Sequence, residues 1–251
     1  MPSEDPARTR APWSTMIVLA CSPGVGASGC WHDVDLPVND GSLGGQVLIS
    51  GGVRGARIRV DELDPHTGEV RFHIGETVTD ESGRFVMETG TEAGIFRIVA
   101  QGGTFEDLAT GATIQLDKTE EVVSLISYSL LEVREDSLVS PIGQLVAART
   151  MARLPALGDL AAAFDESRAS IHRHFGNVDW GAVRPSPLDQ GATSPTEPVR
   201  AAFVHAALSV LASDIATDAH AGPQEVNVYR LTQRWAEDLR AGTFDGNDGD
   251  D

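Results

Sequence analysis

The feature that most constrains this 251-residue chain is a change of hydrophobic period near residue 135. A period of two sends successive side chains to opposite faces of a strand. Spacings of three and four keep them on one face of a helix. From Gly45 onward the period is two. In Ala56-Arg57-Ile58-Arg59-Val60-Asp61, Ile58 and Val60 face one way while Arg57, Arg59 and Asp61 face the other. Val70-Arg71-Phe72-His73-Ile74 alternates likewise. Gln46-Val47-Leu48-Ile49-Ser50, Arg84-Phe85-Val86-Met87, Ile95–Ala100 and Val122–Val133 supply the remaining strands, the last as one or two. Gly51-Gly52 and Gly102-Gly103 read as strand ends, and Asp80-Glu81-Ser82-Gly83 as a tight turn. Roughly seven short strands with frequent turn residues predict an antiparallel β-sandwich over 45–134.

After residue 135 the spacing turns helical. Ser140-Pro141 has the form of an N-cap followed by proline at the first helical position, and Leu145, Ala148 and Ala152 continue the pattern until Pro155 ends or bends it. Leu160–Phe164 opens a second helix that stops near Phe175-Gly176. A proline-rich stretch over 177–198 reads as a loop. Val199–Thr217 is a third helix, with Phe203, Ala207, Val210 and Leu211 on one stripe. A fourth begins at Pro223 and carries Val228, Leu231, Trp235 and Leu239 at spacings of three and four.

The formal charge of −18 excludes the basic footprint that nucleic-acid binding needs. It also disfavours direct attraction to anionic headgroups. Lys118 is the only lysine, so nearly all cationic groups are arginine, a bias read as genomic rather than functional. The two cysteines, Cys21 and Cys30, both precede the first strand, so a disulfide between them closes only a short N-terminal loop.

Arg8 and Arg10 precede an apolar stretch centred on Met16-Ile17-Val18-Leu19-Ala20, and Cys21 follows. A basic flank, a short apolar core and a small residue before the break have the form of a secretion signal. At about ten residues the stretch is too short to cross a bilayer as a helix. Val18-Leu19-Ala20-Cys21 resembles the lipobox of bacterial lipoproteins, with Val18 where that pattern usually has leucine. The resemblance implies cleavage before Cys21 and lipidation of its thiol. Ser22 resembles the outer-membrane sorting signal. The Gly-, Ser-, Pro- and Asp-rich residues that follow suit a flexible tether.

Gly55-Ala56-Arg57-Ile58-Arg59-Val60, Thr79-Asp80-Glu81-Ser82-Gly83-Arg84-Phe85 and Phe96-Arg97-Ile98-Val99-Ala100 together resemble carboxypeptidase-regulatory-like modules. That family has a transthyretin-like sandwich and serves mostly as a structural or adhesive accessory. A longer series resembles large surface lipoproteins of Gram-negative bacteria. Its landmarks are Gly102–Asp107 with Ala109-Thr110-Gly111, Val139–Leu145, His174-Phe175-Gly176, Ala207–Ala212 and Asp238–Gly246. This second resemblance implies architecture and location, not an activity.

Catalytic and metal-binding patterns occur in letters only. Gly24-Val25-Gly26-Ala27-Ser28-Gly29 matches a dinucleotide fingerprint, but a proline-containing, aperiodic stretch follows where a helix is needed. His172 and His174 lie about 200° apart around a helix and cannot grip one metal. His205 and His220 lack partners at i+4. His66 and His73 are too far apart in the pattern to form a metal pair, and His73 reads as solvated. Asp61, Asp64 and Glu69 surround a loop without calcium-ligand spacing. Asp165 and Glu166 are adjacent rather than facing. The tail from Asp245 ends before an EF-hand loop is complete.

The resulting expectation is an α+β chain: signal peptide 1–20, flexible tether 21–44, β-sandwich 45–134, a helical region of about four helices over 135–242, and an acidic disordered tail 243–251. It is expected to be a non-enzymatic exported lipoprotein of the cell envelope, held in the outer membrane through Cys21. It would serve as a binding or structural module for polysaccharide or an envelope protein, with no cofactor, metal or nucleic-acid partner. The alternatives are a periplasmic or secreted hydrolase with an acidic cleft, recognisable by a pocket holding two carboxylates, and a subunit of an envelope assembly.

Overall fold

Two β-sheets and four α-helices build a mixed α+β body in the computed structural model, which describes residues 41–90, 93–129, 137–181, 185 and 196–241. Strand β1 (Ser42–Val47) pairs antiparallel with β4 (Arg84–Glu88) and parallel with β7 (Ser137–Val139). The second sheet is antiparallel throughout, in the order β3 (Val70–Val78), β2 (Arg57–Leu63), β5 (Ala93–Glu106), β6 (Thr113–Ser129). Alternation sets the faces. In β4, Phe85 and Met87 are buried while Arg84, Val86 and Glu88 are exposed. Buried residues of both sheets and of the helices join one apolar cluster, in which Phe96 stacks on Tyr128 with centroids 4.9 Å apart. Each fully buried large side chain contributes about 1.5–3 kcal/mol.

The helices are α1 (Pro141–Leu157), α2 (Leu160–His174), α3 (Glu197–Asp218) and α4 (Val228–Ala241). The Ser140 hydroxyl accepts the Gly143 N–H at 3.1 Å and caps α1 as its sequence predicts. Gly143 lets α1 enter against β6, since a Cβ there collides with the Ser124 hydroxyl. Pro155 neither ends nor marks the edge of α1. The helix continues to Leu157 and stops at Gly158, whose φ of 68° suits glycine, with its N–H on the Leu154 carbonyl.

Several expectations change. Gly102-Gly103 does not end a strand. It forms a bulge with φ values of 65° and 96°, and β5 runs on to Glu106. A Cβ on Gly103 would lie 2.9 Å from the Arg54 carbonyl oxygen, so the bulge requires glycine. The tether expected to reach residue 44 gives way earlier: Ser42, Leu43 and Gly44 already pair with Glu88, Met87 and Val86, because Leu43 enters the core. Strand β7 lies beyond residue 134, in the stretch read as helical, and ties that stretch to β1. The sheets and helices belong to one compact unit. The expected signal peptide, Cys21, Cys30 and the expected acidic tail over 243–251 lie outside the described residues.

The stripe Phe203, Ala207, Val210 and Leu211 on α3 faces solvent, with Phe203 62% exposed. The buried face is a smaller and more polar one: Ala201, Ala202, His205, Leu208, Ser209, Ala212 and Ala216. Polar pins select it. His205 Nδ1 donates to the Ile49 carbonyl at 2.8 Å, Ser209 Oγ donates to Asp107 Oδ2 at 2.8 Å, and the Ala109 N–H donates to Ser209 Oγ at 3.0 Å. These bonds join the segment around Asp107 to the segment around Ser209, two of the landmarks noted in the sequence. By length and composition α3 is apolar enough to cross a membrane, yet 44% of its apolar window is buried against the body.

Candidate ligand-binding site

Strand register brings arginines and aliphatic residues to one face of the four-stranded sheet. Arg59 of β2 lies opposite Val99 of β5, which lies opposite Val123 of β6. In the neighbouring row Asp61, Arg97 and Leu125 lie opposite one another in turn. Helices α1 and α4 reach this face through Ala147, Ala148 and Met151 and through Arg240. The space between sheet and helices is a cavity of about 190 Å³, lined by aliphatic residues and by three arginine side chains, those of Arg59, Arg97 and Arg240. Among the described residues Glu121 is the single acidic one lining it, and it accepts a hydrogen bond from Gln101 Nε2 at 3.2 Å. Arg240 sits in the last turn of α4, where the helix dipole favours a cation.

Asp61 organises the arginines. A β-bulge between Val60 and Asp61 shifts the register at this point, and the carboxylate is almost completely covered. Arg97 Nη2 donates to its Oδ2 at 2.8 Å and Arg59 Nε donates to the same oxygen at 3.2 Å. His73 Nδ1 bonds Oδ1 at 3.0 Å. Burial pushes the Asp61 carboxyl up, but the hydrogen bonds from Arg97 and His73 and the charges of Arg97 and Arg59 outweigh it and hold the group below the usual carboxylate range. One carboxylate thus faces two guanidinium groups, and positive charge is left over. Arg97 Nε is buried and has no partner among the described residues. A guanidinium carries five donors in a planar fork, so the pair retains donors for a further acceptor.

The residues weighed in the sequence fall elsewhere. His73 is about half exposed, as a solvated histidine should be, but it is bonded to Asp61. Asp64 caps its own turn by accepting the N–H groups of His66 and Thr67, which lowers its pKa, and Glu69 is not joined to it through a ligand-like arrangement. His66 Nδ1 bonds the Gly158 carbonyl, and His174 Nδ1 bonds the Ser170 carbonyl. Glu166 pairs with Arg153, while Asp165 is exposed. Among the described residues no three His, Cys, Asp or Glu side chains are grouped to hold a metal ion. Asp107, Ser209 and His205 bring the letters of a hydrolytic triad together in the wrong order. Ser209 bonds Asp107 rather than His205, His205 bonds backbone, and all three are buried.

Sequence reasoning missed the arginine site. Its one legible signal was the outward set Arg57, Arg59 and Asp61 on β2. Nothing local linked that set to Arg97 or Arg240.

No protein-family model matches the chain, and no curated protein matches it. Solved structures that match include an (S)-allantoin synthase, 20% identical with a TM-score of 0.26, covering 43% of this chain and 42% of that one. A 9R-lipoxygenase from Cyanothece PCC8801 matches at 11% identity and a TM-score of 0.23, covering 61% of this chain and 26% of that one. Likeness at this level carries no inference about fold or activity. This chain spans less than half the length of either protein.

Proposed function

We propose that this chain is a non-enzymatic lipoprotein of the cell envelope, attached to the outer membrane through Cys21, whose folded body is a ligand-binding module. In this reading the two sheets are the halves of a seven-stranded carboxypeptidase-regulatory-like sandwich, the helices complete the module, and the partner is a polysaccharide or an envelope protein. The observation that carries the binding role is the cavity under α1. Its polar lining is three arginines and one glutamate, in a chain with a net charge of −18. Such a lining suits holding an anion. A carboxylate-pair hydrolase needs instead a carboxyl with a raised pKa facing a second one. The carboxyl groups whose shifts are resolved, Asp61, Asp64, Glu76, Asp80 and Asp117, are all lowered. The anchor is supported by the lipobox-like Val18–Cys21 and by its place upstream of the first described strand, β1 at Ser42. More than one acyl chain on Cys21 gives stable attachment. Radiolabelled palmitate tests the anchor: the wild-type chain incorporates label in the membrane fraction and Cys21→Ala does not. Label retained by Cys21→Ala, or absent from the wild type, overturns the reading.

A further inference from the structure

The ligand class follows from the shape and charge of the cavity, on the reading that the body is a binding module. A cavity of about 150 Å³ with aliphatic walls holds one benzene-sized body, and this one offers about 190 Å³. That is below the range of roughly 300–1,000 Å³ for whole drug-sized ligands, so the occupant is a small molecule or one terminal residue of a larger one. Val123 of the sheet and Met151 of α1 belong to its aliphatic wall, which suits an apolar body. The guanidinium groups of Arg59, Arg97 and Arg240 suit an anionic head, and planar guanidinium matches planar carboxylate. Asp61 holds Arg59 and Arg97 in place through one shared oxygen without neutralising both. Arg97 Nε is covered and spends no part of the fork on Asp61, which is bonded through Nη2 instead. Against the three arginines stand two carboxylates, Asp61 and Glu121, so the formal excess is one positive charge, which one monoanion balances and a dianion overfills.

From this geometry we infer that the cavity between the four-stranded sheet and helices α1 and α4 binds a monocarboxylate with a compact apolar body, whether free or as the end group of a larger envelope molecule. Arg240, exposed at the end of α4, supplies the outer contact to the head group, and Arg97 the inner one.

Calorimetric titration of the full chain carrying Cys21→Ser, which removes the thiol proposed to be acylated, tests this with benzoate, benzamide and phenyl phosphate. Benzoate saturates the protein at millimolar concentration or below. Benzamide, the same shape without the charge, binds about tenfold weaker or worse, a charge-assisted contact being worth that much. Phenyl phosphate also binds more weakly than benzoate. Arg240→Gln, a surface change whose melting curve matches the parent, weakens benzoate about tenfold. Val123→Phe fills the cavity and removes binding. Should Val123→Phe fail to fold, the ligand series and Arg240→Gln still decide. Equal affinity for benzamide, tighter binding of phenyl phosphate, no saturation by benzoate, or indifference to Arg240→Gln overturns the inference. A chain that takes palmitate but not benzoate loses only this inference. One that binds benzoate but takes no palmitate loses only the anchor.

Discussion

His205 makes the stability of this protein depend on pH in a way that can be isolated. The residue is 1% exposed, its Nδ1 donates to the Ile49 carbonyl, and its Nε2 is buried without a partner among the described residues. Burial therefore lowers its pKa from 6.5 to about 4, although the bond to Ile49 opposes the shift. Above pH 6.5 the ring is neutral in the folded and unfolded chains alike, and the contribution to stability is complete. Between pH 6.5 and pH 4 the unfolded chain binds a proton that the folded chain refuses, so stability falls with pH. Each pKa unit is worth about 1.4 kcal/mol, which gives a loss of about 3 kcal/mol by pH 4. Below that both states are protonated and the loss levels off. The perturbation is His205→Asn, which cannot titrate. Urea unfolding of wild type and variant is followed by tryptophan fluorescence, with Trp180 reporting directly because its ring lies 5.6 Å from His205 edge-on. The lowered carboxyl groups titrate in both proteins and cancel in the difference. The wild-type advantage shrinks by about 3 kcal/mol between neutral pH and pH 4. Parallel stability curves across that window would refute the assignment of a buried neutral imidazole.

Two further outcomes test the packing. Ser209→Ala removes a donor from buried Asp107 and the acceptor of the Ala109 N–H, so urea unfolding shows a loss of about 1–3 kcal/mol. Gly103→Ala puts a Cβ against the Arg54 carbonyl at a positive φ and lowers stability by at least about 1 kcal/mol in the same measurement. A neutral result would mean that the bulge rearranges freely.

What the sequence determined by itself was local. The alternation in Arg57–Val60 and in β4 sets strand faces because it depends only on chain geometry. The Ser140-Pro141 cap was legible because its hydrogen bond closes within three residues. The lipobox-like Val18–Cys21 is likewise a local pattern, and the proposed anchor rests on it. Tertiary structure decided what depends on distant partners. A diglycine can end a strand or bulge within it. Gly102-Gly103 bulges because β6 continues to supply backbone partners on its far side. Hydrophobicity favours burying Phe203 and Val210, but α3 turns the face of His205 and Ser209 inward, where Ile49 and Asp107 satisfy those polar groups. The arginine cavity is the clearest case. Arg59, Arg97 and Arg240 lie on β2, β5 and α4, and only sheet register and helix packing bring their charges to one space. Periodicity describes a residue's own element, whereas a binding site depends on which elements meet.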